Sequence, residues 1–374
     1  MQLEDEFSLL PEIIYLNHAA VSPWPTRTAV AVANFAEENC QRGAQGYLTW
    51  LTVEQRLRER LQRLIGARSA DEIALLKNTS EGLSVIAHGL AWCSGDNVII
   101  PAQEFPSNRI VWESLAAYGV QVRAVDLSAT SDPESALLQV IDSHTRLMSV
   151  SAVQYDTGLR LDLARLGRAC EEAEILFCVD AIQSLGALPL DVRNIRADFV
   201  VADGHKWMLG PEGVALFYCR RELFEQLQLR QFGWHMVEHL GDYDRRDWTP
   251  AKNARRFECG SPNMLGIYAL EASLSLLEEL GRDTVAERIL DNTAYLLGQL
   301  ADSKNFGLVT PTAPERHAGI VSFKPLKQDV QETHRRLQTA GVVCAVRAGA
   351  VRFSPHFYTP REQLTHALEL LDIN

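Results

Sequence analysis

The sequence predicts an α/β protein built around a mainly parallel β-sheet. Short apolar segments alternate with amphipathic helical patterns over about the first 220 residues, which is typical of strand–helix–strand units. Several apolar segments contain almost no polar residue, as is usual for strands that helices cover on both faces. The 374 residues are 47% hydrophobic and 22% charged, an ordinary globular composition that disfavours a disordered chain or a disulfide-rich scaffold.

The strands and helices of this layer follow one another along the chain. The apolar segments predict a seven-stranded sheet with strands at residues 72–75, 97–101, 120–125, 146–153, 175–180, 198–201 and 214–218. Helical patterns lie between them at residues 80–92, 108–118 and 161–173. The first of these patterns places Leu83, Ile86 and Leu90 on one face, so we expect that face to pack against the sheet.

The pattern changes after about residue 220. Residues 243–256 are rich in charge and contain Pro250, which indicates a loop. Later helices are predicted at 264–280, 284–300, 329–339 and 360–371, and short strands at 319–323, 342–346 and 350–354. We therefore expect a large domain over residues 16–250, a small C-terminal α+β domain over 251–374, and an N-terminal segment at 1–15.

Charge and cysteine content restrict the partners and the compartment. The chain has 36 Lys and Arg against 48 Asp and Glu, and the resulting net charge of -12 disfavours binding to nucleic acid. Its seven cysteines form no CxxC pair, which indicates reduced thiols and not a zinc site or a secreted framework. The N-terminus is acidic, and no apolar run reaches the roughly 18 residues of a membrane span. We therefore expect a cytoplasmic protein that binds no membrane.

Lys206 and Asp180 are the most informative residues, because each stands at the end of an apolar strand. Trp207 and Met208 beside Lys206 would partly desolvate its amine, which lowers the pKa and favours Schiff-base chemistry. Asp180 lies at the edge where open α/β sheets bind ligands, and a pyridoxal phosphate site needs a carboxylate there to keep the pyridine nitrogen protonated. The alternatives are an ordinary surface lysine and an aspartate that caps a helix.

Thr79 and Ser80 stand at the start of the helix predicted at 80–92. Their hydroxyls and the N–H groups of a helix N-terminus make a candidate phosphate site, although a plain helix cap has the same appearance. A strand-end Asp180 followed by a strand-end Lys206 is a rarer combination than either residue alone. The three features together therefore favour a site for a phosphorylated cofactor.

These stretches together resemble the class V, cysteine desulfurase-like branch of the fold-type I pyridoxal-phosphate enzymes. The resemblance extends nearly end to end, from residues 15–20 (YLNHAA) to residues 352–358 (RFSPHFY), and its most specific elements are the runs at 180–183 (DAIQ) and 204–206 (GHK). It implies a fold-type I enzyme with pyridoxal 5'-phosphate as its cofactor and a small amino acid or amine as its substrate. It also implies a homodimer with the active site at the subunit interface.

The resemblance also implies a role for each matching residue. Lys206 would form a Schiff base with the cofactor and move protons, and Asp180 would pair with the pyridinium nitrogen. Arg352 would bind the substrate carboxylate as a two-pronged donor, with Asn17 and His18 in the stretch that approaches the substrate. The other implied cofactor contacts are Thr79, Ser80 and His205 at the phosphate, Phe105, Tyr155, Ala181 and Gln183 around the ring, and Ser261, which would reach the phosphate bound in the partner subunit.

Two departures from the family pattern bear on the reaction. Phe105 stands where cysteine desulfurases stack a histidine on the cofactor, and a phenyl ring can stack but cannot transfer a proton. Residues 347–352 run directly where desulfurases carry a loop with the catalytic cysteine, and Cys344 lies in a predicted strand as a core thiol. Sulfur transfer to an enzyme thiol is therefore disfavoured.

Two further departures concern the cofactor. Tyr155 takes the place of an asparagine that faces the cofactor hydroxyl, and together with Phe105 it resembles kynureninases and isopenicillin N epimerase-like members. Asp203 takes the place of a phosphate-binding serine, and a carboxylate beside a phosphate would repel it. We therefore expect Asp203 to turn away or to pair with a cation.

The resulting expectation is an enzyme that catalyses lyase-type elimination or transamination through a Schiff base at Lys206. The alternatives are an amino-acid epimerase and a cysteine desulfurase without the usual cysteine loop. A non-enzymatic protein that binds pyridoxal phosphate is disfavoured, because Lys206 and Asp180 are both present. His235 and His239 have the spacing of two zinc ligands, but no glutamate follows His235 and no third ligand is evident, so no metal is expected.

Overall fold

The structure, a computed structural model, describes residues 3–128 and 130–371. The first two residues of the predicted N-terminal segment and the last three of the predicted C-terminal domain lie outside this description. The strands are β1 (Ile14–Tyr15), β2 (Ile73–Leu76), β3 (Asn97–Pro101), β4 (Gln121–Val125), β5 (Thr145–Ser151), β6 (Leu176–Asp180), β7 (Phe199–Asp203), β8 (Ala215–Cys219), β9 (Phe306–Leu308), β10 (Val321–Pro325), β11 (Val342–Val343), β12 (Ala345–Arg347) and β13 (Ala350–Phe353).

Helices lie between most of these strands. The α-helices are α1 (Thr26–Arg42), α2 (Tyr47–Ile65), α3 (Thr79–Gly89), α4 (Ser107–Glu113), α5 (Pro133–Leu138), α6 (Leu163–Glu172), α7 (Met264–Leu280), α8 (Arg282–Ala301), α9 (Val330–Thr339) and α10 (Arg361–Glu369). Short 3-10 helices lie at Leu3–Glu6, Ala70–Glu72, Ser114–Tyr118, Arg221–Leu223, Ala254–Phe257 and Pro314–Arg316. No helix of the described residues is long and apolar enough to cross a membrane.

The central sheet has seven strands in the order β2-β8-β7-β6-β5-β3-β4. All neighbouring pairs are parallel except those made by β8, which is antiparallel to both β2 and β7. This arrangement confirms the predicted mainly parallel sheet, and the predicted strands match the observed ones to within about two residues at each end.

Helices cover both faces of the central sheet, which explains why its strands are almost entirely apolar. Along β3, Val98 and Ile100 join a core with α3 and α4, whereas Ile99 joins the opposite core with α2, α6 and α7. Successive side chains of a strand point to opposite faces, so a strand covered on both sides must be apolar at every position. The carboxyl ends of the parallel strands therefore meet at one exposed edge of this layer.

Helices α1 and α2 have no counterpart among the predicted elements. Thr28 is the one buried residue of α1 within the described chain, so this helix has no apolar stripe to reveal it. Helix α2 does carry such a stripe, with Trp50, Val53, Leu57 and Leu61 buried at helical spacing. The same periodicity test that found α3 could therefore have found α2.

A second, antiparallel sheet has the strand order β12-β13-β10-β9 and shares a core with α8, α9 and α10. The segment predicted as one strand at 342–346 is divided at Cys344, because β11 pairs in parallel with β1 while β12 pairs with β13. These elements agree with a small α+β unit. The predicted domain boundary at residue 250 stays a prediction, since α7 packs against α1 and α2 of the large layer.

Candidate active site

Asp180 and Lys206 meet at the carboxyl edge of the central sheet. Asp180 is the last residue of β6, and Lys206 follows the end of the neighbouring strand β7 by three residues. Both side chains are buried, with 2% and 9% of their surfaces exposed. The Nζ atom of Lys206 lies 5.7 Å from the centre of the Phe105 ring, which is itself partly exposed. Adjacent parallel strands thus bring an acid and an amine to the edge where ligands bind.

Burial sets the proton affinities of these two groups. Desolvation lowers the pKa of Lys206 to about 8, although the Asp180 carboxylate opposes this effect. Desolvation likewise raises the pKa of Asp180 to about 6. Two groups oppose this shift: the N–H of Ile182, which donates to Oδ1 at 3.0 Å, and the charge of Lys206. Roughly a tenth of the lysine is therefore an uncharged, nucleophilic amine at pH 7, far more than for an ordinary lysine.

The turn after Asp180 is held firmly against the rest of the site. The Nε2 group of Gln183 donates to the carbonyl of Ala19 at 3.0 Å, and the indole N–H of Trp207 donates to Gln183 Oε1 at 3.0 Å. Ala181 is fully buried. An amide side chain can make four hydrogen bonds, so Gln183 still has one N–H and one lone pair for a ligand.

The start of α3 adjoins the end of β7. Asn78 caps this helix, with its Oδ1 accepting from the N–H of Glu81 at 2.9 Å, and Thr79 Oγ1 accepts from the N–H of Asp203 at 3.1 Å. The Ser80 hydroxyl is exposed and donates to Ser107 Oγ at 2.8 Å. The first N–H groups of a helix have no partner within it, and those of Thr79 and Ser80 meet no acceptor among the described residues, so they can bind an anion.

Arg352 projects from the middle of β13 and is only 1% exposed. Its Nη1 donates to the carbonyl of Tyr155 at 2.6 Å, but Nε and Nη2 have no hydrogen-bond partner within residues 3–128 and 130–371. Burial, and then the neighbouring Arg347, lowers the pKa of Arg352 to about 9. A buried guanidinium with two unmet donors is costly, so its arrangement fits a carboxylate ligand.

Arg347 is a second cation near this site, and the sequence analysis assigned it no role. Its positive charge acts to lower the pKa values of Lys206, Arg352 and Tyr155. Its one hydrogen bond to a described residue goes to the carbonyl of Val346, and it forms no ion pair with a described acidic residue. Within the described residues the site therefore contains two arginines without an ion pair, although the Asp156 carboxylate acts on Arg352 from further away.

The connection between β12 and β13 is a two-residue turn. Arg347 pairs directly with Ala350, and the turn residues Ala348 and Gly349 both have positive φ, 46° and 72°. This is the geometry of a tight hairpin, so the chain has no room for a cysteine-bearing loop before Arg352. Cys344 is 5% exposed and packs in the core, where burial raises the pKa of its thiol to about 12.

Phe105 and Tyr155 face each other across the site, with ring centres 5.2 Å apart in an edge-to-face arrangement. The preceding residue, Glu104, is buried and accepts hydrogen bonds from Ser151 and from Gln154, whereas burial raises its pKa to about 7. Sequence analysis missed Glu104. Its position just beyond β3, at the same sheet edge as Asp180, could have identified it.

His18 and Asn17 differ in their suitability as ligand contacts. His18 is fully buried, and its ring nitrogens lie 2.8 Å from the Ser354 carbonyl and 2.6 Å from the Tyr358 hydroxyl. Both nitrogens thus join the N-terminal stretch to the C-terminal segment, and a contact of His18 with the substrate stays a prediction. Asn17 stays a candidate, because its buried Oδ1 has no partner among the described residues.

Ser261 and the two histidines with zinc-like spacing are the remaining positions from the sequence analysis. Ser261 is exposed in the segment between the 3-10 helix at 254–257 and α7, so a contact from it needs a second subunit. His235 is buried and His239 exposed, so the two do not converge. His235 does lie near Glu54 and Glu258, but Arg58 pairs with both of these glutamates.

Comparisons with known proteins place these features in a family context. Residues 14–364 match the family model described as Aminotransferase class-V. The chain is 31% identical to a probable cysteine desulfurase of Methanothermobacter thermautotrophicus, over 100% of this chain and 98% of that protein. It is 30% identical to an uncharacterized aminotransferase of Bacillus subtilis, over 83% of this chain and 81% of that protein.

Solved structures share the fold at lower sequence identity. A mutant of C-DES with glycine covalently linked to its PLP cofactor has a TM-score of 0.92 at 22% identity, over 100% of both chains. The cystine C-S lyase C-DES in complex with its reaction product cysteine persulfide has a TM-score of 0.90 at 23% identity, over 98% of this chain and 99% of that one. These similarities confirm the predicted fold-type I architecture.

Proposed function

The chain belongs to the class-V aminotransferase family, and we propose that it is a carbon–sulfur lyase that acts on a small sulfur-containing amino acid. It is an enzyme that depends on pyridoxal phosphate. The observation that carries the proposal is the two-residue hairpin before Arg352, which puts no cysteine beside the unmet donors of that arginine. Sulfur would then leave on a fragment of the substrate and not on an enzyme thiol.

The residues at the sheet edge fit pyridoxal phosphate. Asp180 offers a buried carboxylate for a ring nitrogen, Lys206 offers an amine of lowered pKa, and Gln183 keeps a free N–H and lone pair for a ring hydroxyl. The N-terminus of α3 at Thr79 and Ser80 suits its phosphate. When bound, this cofactor supplies an electron sink that makes the α-proton of an amino acid acidic.

The side chains of this chain would perform the remaining tasks. Asp180 would hold a proton on the pyridine nitrogen. Lys206 Nζ, whose lowered pKa makes its uncharged form accessible near neutral pH, would take the α-proton of the substrate. Phe105 would pack on the ring without exchanging protons. Since Phe105 cannot protonate a carbanion, loss of a β-substituent is favoured over return of a proton to the opposite face.

The two arginines suggest which sulfur amino acid is bound. Arg352 would bind the α-carboxylate through Nε and Nη2. Arg347, which has no acidic partner among the described residues, would attract a second anionic group on the leaving fragment. A substrate of the cystine type has such a second carboxylate, and one structural neighbour is described as a cystine C-S lyase.

The proposed reaction balances without an external oxidant or thiol. Cystine and water would give pyruvate, ammonia and cysteine persulfide: the α-C–H and β-C–S bonds break, and the sulfur leaves with both electrons of its bond. Because Ser261 is exposed and its segment is expected to reach a neighbouring site, we further propose that the active protein is a homodimer. Light scattering of the purified protein tests that part.

A product screen on the holoenzyme tests the reaction. L-cystine should yield equal amounts of pyruvate and ammonia together with persulfide, faster than L-cysteine does. An Arg347→Gln variant should lose turnover of cystine and retain that of β-chloroalanine, which has one carboxylate. Keto acid formed only when a second keto acid is supplied would identify a transaminase, and inversion without pyruvate would identify an epimerase; either outcome overturns the proposal.

A cysteine desulfurase is a second candidate, because the M. thermautotrophicus relative is described as a probable one. Cys259 is the partly exposed thiol in the segment that leads to Ser261, and its Sγ lies 3.2 Å from Gln231 Oε1. Sulfide or enzyme-bound persulfide formed from L-cysteine, and lost in Cys259→Ala, would favour this candidate. Unchanged cystine cleavage in the same variant would favour the lyase.

A further inference from the structure

A second acid–base pair lies directly before Lys206. Asp203 ends β7 with only 6% of its surface exposed, and its Oδ1 lies 3.1 Å from Nδ1 of His205. The two atoms are close but not aligned as a hydrogen bond, and neither has another partner among the described residues. A small rotation of the imidazole ring would align them. The pair therefore holds a buried carboxylate and an imidazole with unmet bonding capacity.

This pair adjoins the N-terminus of α3. The N–H of Asp203 donates to Thr79 Oγ1 at 3.1 Å. Asp203 therefore contacts one of the residues proposed to bind the phosphate. An uncompensated carboxylate there would repel a phosphate. The described charges that act on Asp203 are Lys206, which attracts it, and Asp180, which repels it. The N–H of Ser22 meets the carbonyl of His205 and adds no charge.

We propose that Asp203 is a positioning residue for the cofactor phosphate and that it acts through His205. The carboxylate holds His205 as an imidazolium, with Nδ1–H directed at Oδ1, so that Nε2–H donates to the phosphate. A neutral imidazole has one N–H only, and if Nδ1 donated it to Asp203, Nε2 would present a lone pair to the anion. Asp203, which by itself would repel the phosphate, thus supports a charge-assisted hydrogen bond from His205 to that phosphate.

This role depends on cofactor binding and not on the reaction catalysed, so its test is separate from that of the proposed lyase. The measurement is the equilibrium affinity of the apoenzyme for pyridoxal phosphate and for pyridoxal, which lacks the phosphate. We expect Asp203→Asn to weaken pyridoxal phosphate binding by roughly tenfold to hundredfold, the range for loss of a charge-assisted hydrogen bond. Binding of pyridoxal should stay the same, which also shows that the site is folded.

The His205→Gln variant supplies a sharper test, because in it the effect of Asp203→Asn on pyridoxal phosphate affinity should reverse. Without the imidazolium the carboxylate only repels, so adding Asp203→Asn should tighten pyridoxal phosphate binding. Tighter binding by Asp203→Asn alone, or an equal loss for pyridoxal, would overturn the proposal.

Discussion

Replacing Arg352 with glutamine should make the apoenzyme more stable. Burial lowers the pKa of Arg352 from 12.5 to about 9, which corresponds to a cost of about 5 kcal/mol for keeping the guanidinium charged in the fold. Its hydrogen bond to the Tyr155 carbonyl offsets roughly 2 kcal/mol of this. Because Arg352 is charged in both the folded and unfolded states at pH 7, the cost is fully present there and is relieved only above about pH 9.

The same substitution should remove recognition of the substrate carboxylate. Nε and Nη2 are the donors left without a partner, and two charge-assisted hydrogen bonds of about 1.5 kcal/mol or more each correspond to a loss of roughly a hundredfold or more in kcat/KM. Turnover of an amine that lacks the carboxylate, such as cystamine in place of cystine, should change little. Arg352→Lys should retain the charge but not the two-pronged geometry.

Urea unfolding of the apoenzymes and steady-state kinetics of the holoenzymes measure the two effects. We expect Arg352→Gln to raise the free energy of unfolding by roughly 3 kcal/mol, the burial cost less the hydrogen bond that is lost. Arg146→Gln, a change at an exposed arginine, should stay within about 0.5 kcal/mol of the wild type. A loss of stability in Arg352→Gln, or an equal loss of activity on both substrates, would refute the assignment of Arg352 as a buried cation kept for a carboxylate.

Three other predictions concern the catalytic amine, a buried histidine and a buried thiol. Borohydride should bleach the visible band of the holoenzyme and fix the cofactor to Lys206 by mass spectrometry, whereas Lys206→Ala should show neither effect. Burial lowers the pKa of His18 to about 4, so the unfolded state takes up its proton first, and stability should fall by up to about 3 kcal/mol between pH 6.5 and pH 4. Urea unfolding across that range should give a shallower slope for His18→Gln, and an unchanged slope would contradict this account. Cys344→Ala should leave the rate of sulfur release within about twofold of wild type, because burial raises the thiol pKa to about 12; a larger loss would restore a role for this thiol.

Much of the fold could be predicted from local pattern. The apolar strands at 97–101 and 175–180 are covered on both faces, and such strands leave a short, nearly continuous apolar run in the sequence. Helix α1 escaped prediction for the opposite reason, since it buries only Thr28 among its described residues and has no apolar stripe. Periodicity reports burial, so an exposed helix leaves little trace of itself in the sequence.

The sequence also predicted which residues of the candidate site come together at the sheet edge. Asp180 and Lys206 could be found because each follows its own strand, and the carboxyl ends of adjacent parallel strands must meet at one edge. The short run from 347 to 352 likewise indicated the absence of a loop, and the observed hairpin agrees with it. These features depend on spacing along the chain, which a sequence displays directly.

Other properties arise from contacts between segments far apart in the chain, and no spacing encodes them. The ring nitrogens of His18 meet the Ser354 carbonyl and the Tyr358 hydroxyl, near the opposite end of the chain. Arg347 became informative only when no acidic partner for it was found among the described residues and its charge was seen to act on Lys206. Residue order and periodicity thus define which elements form and at which edge of the sheet Asp180 and Lys206 meet. Burial, hydrogen-bond partners and proton affinities are set by which distant side chains the fold brings together, and they exist only in the folded chain.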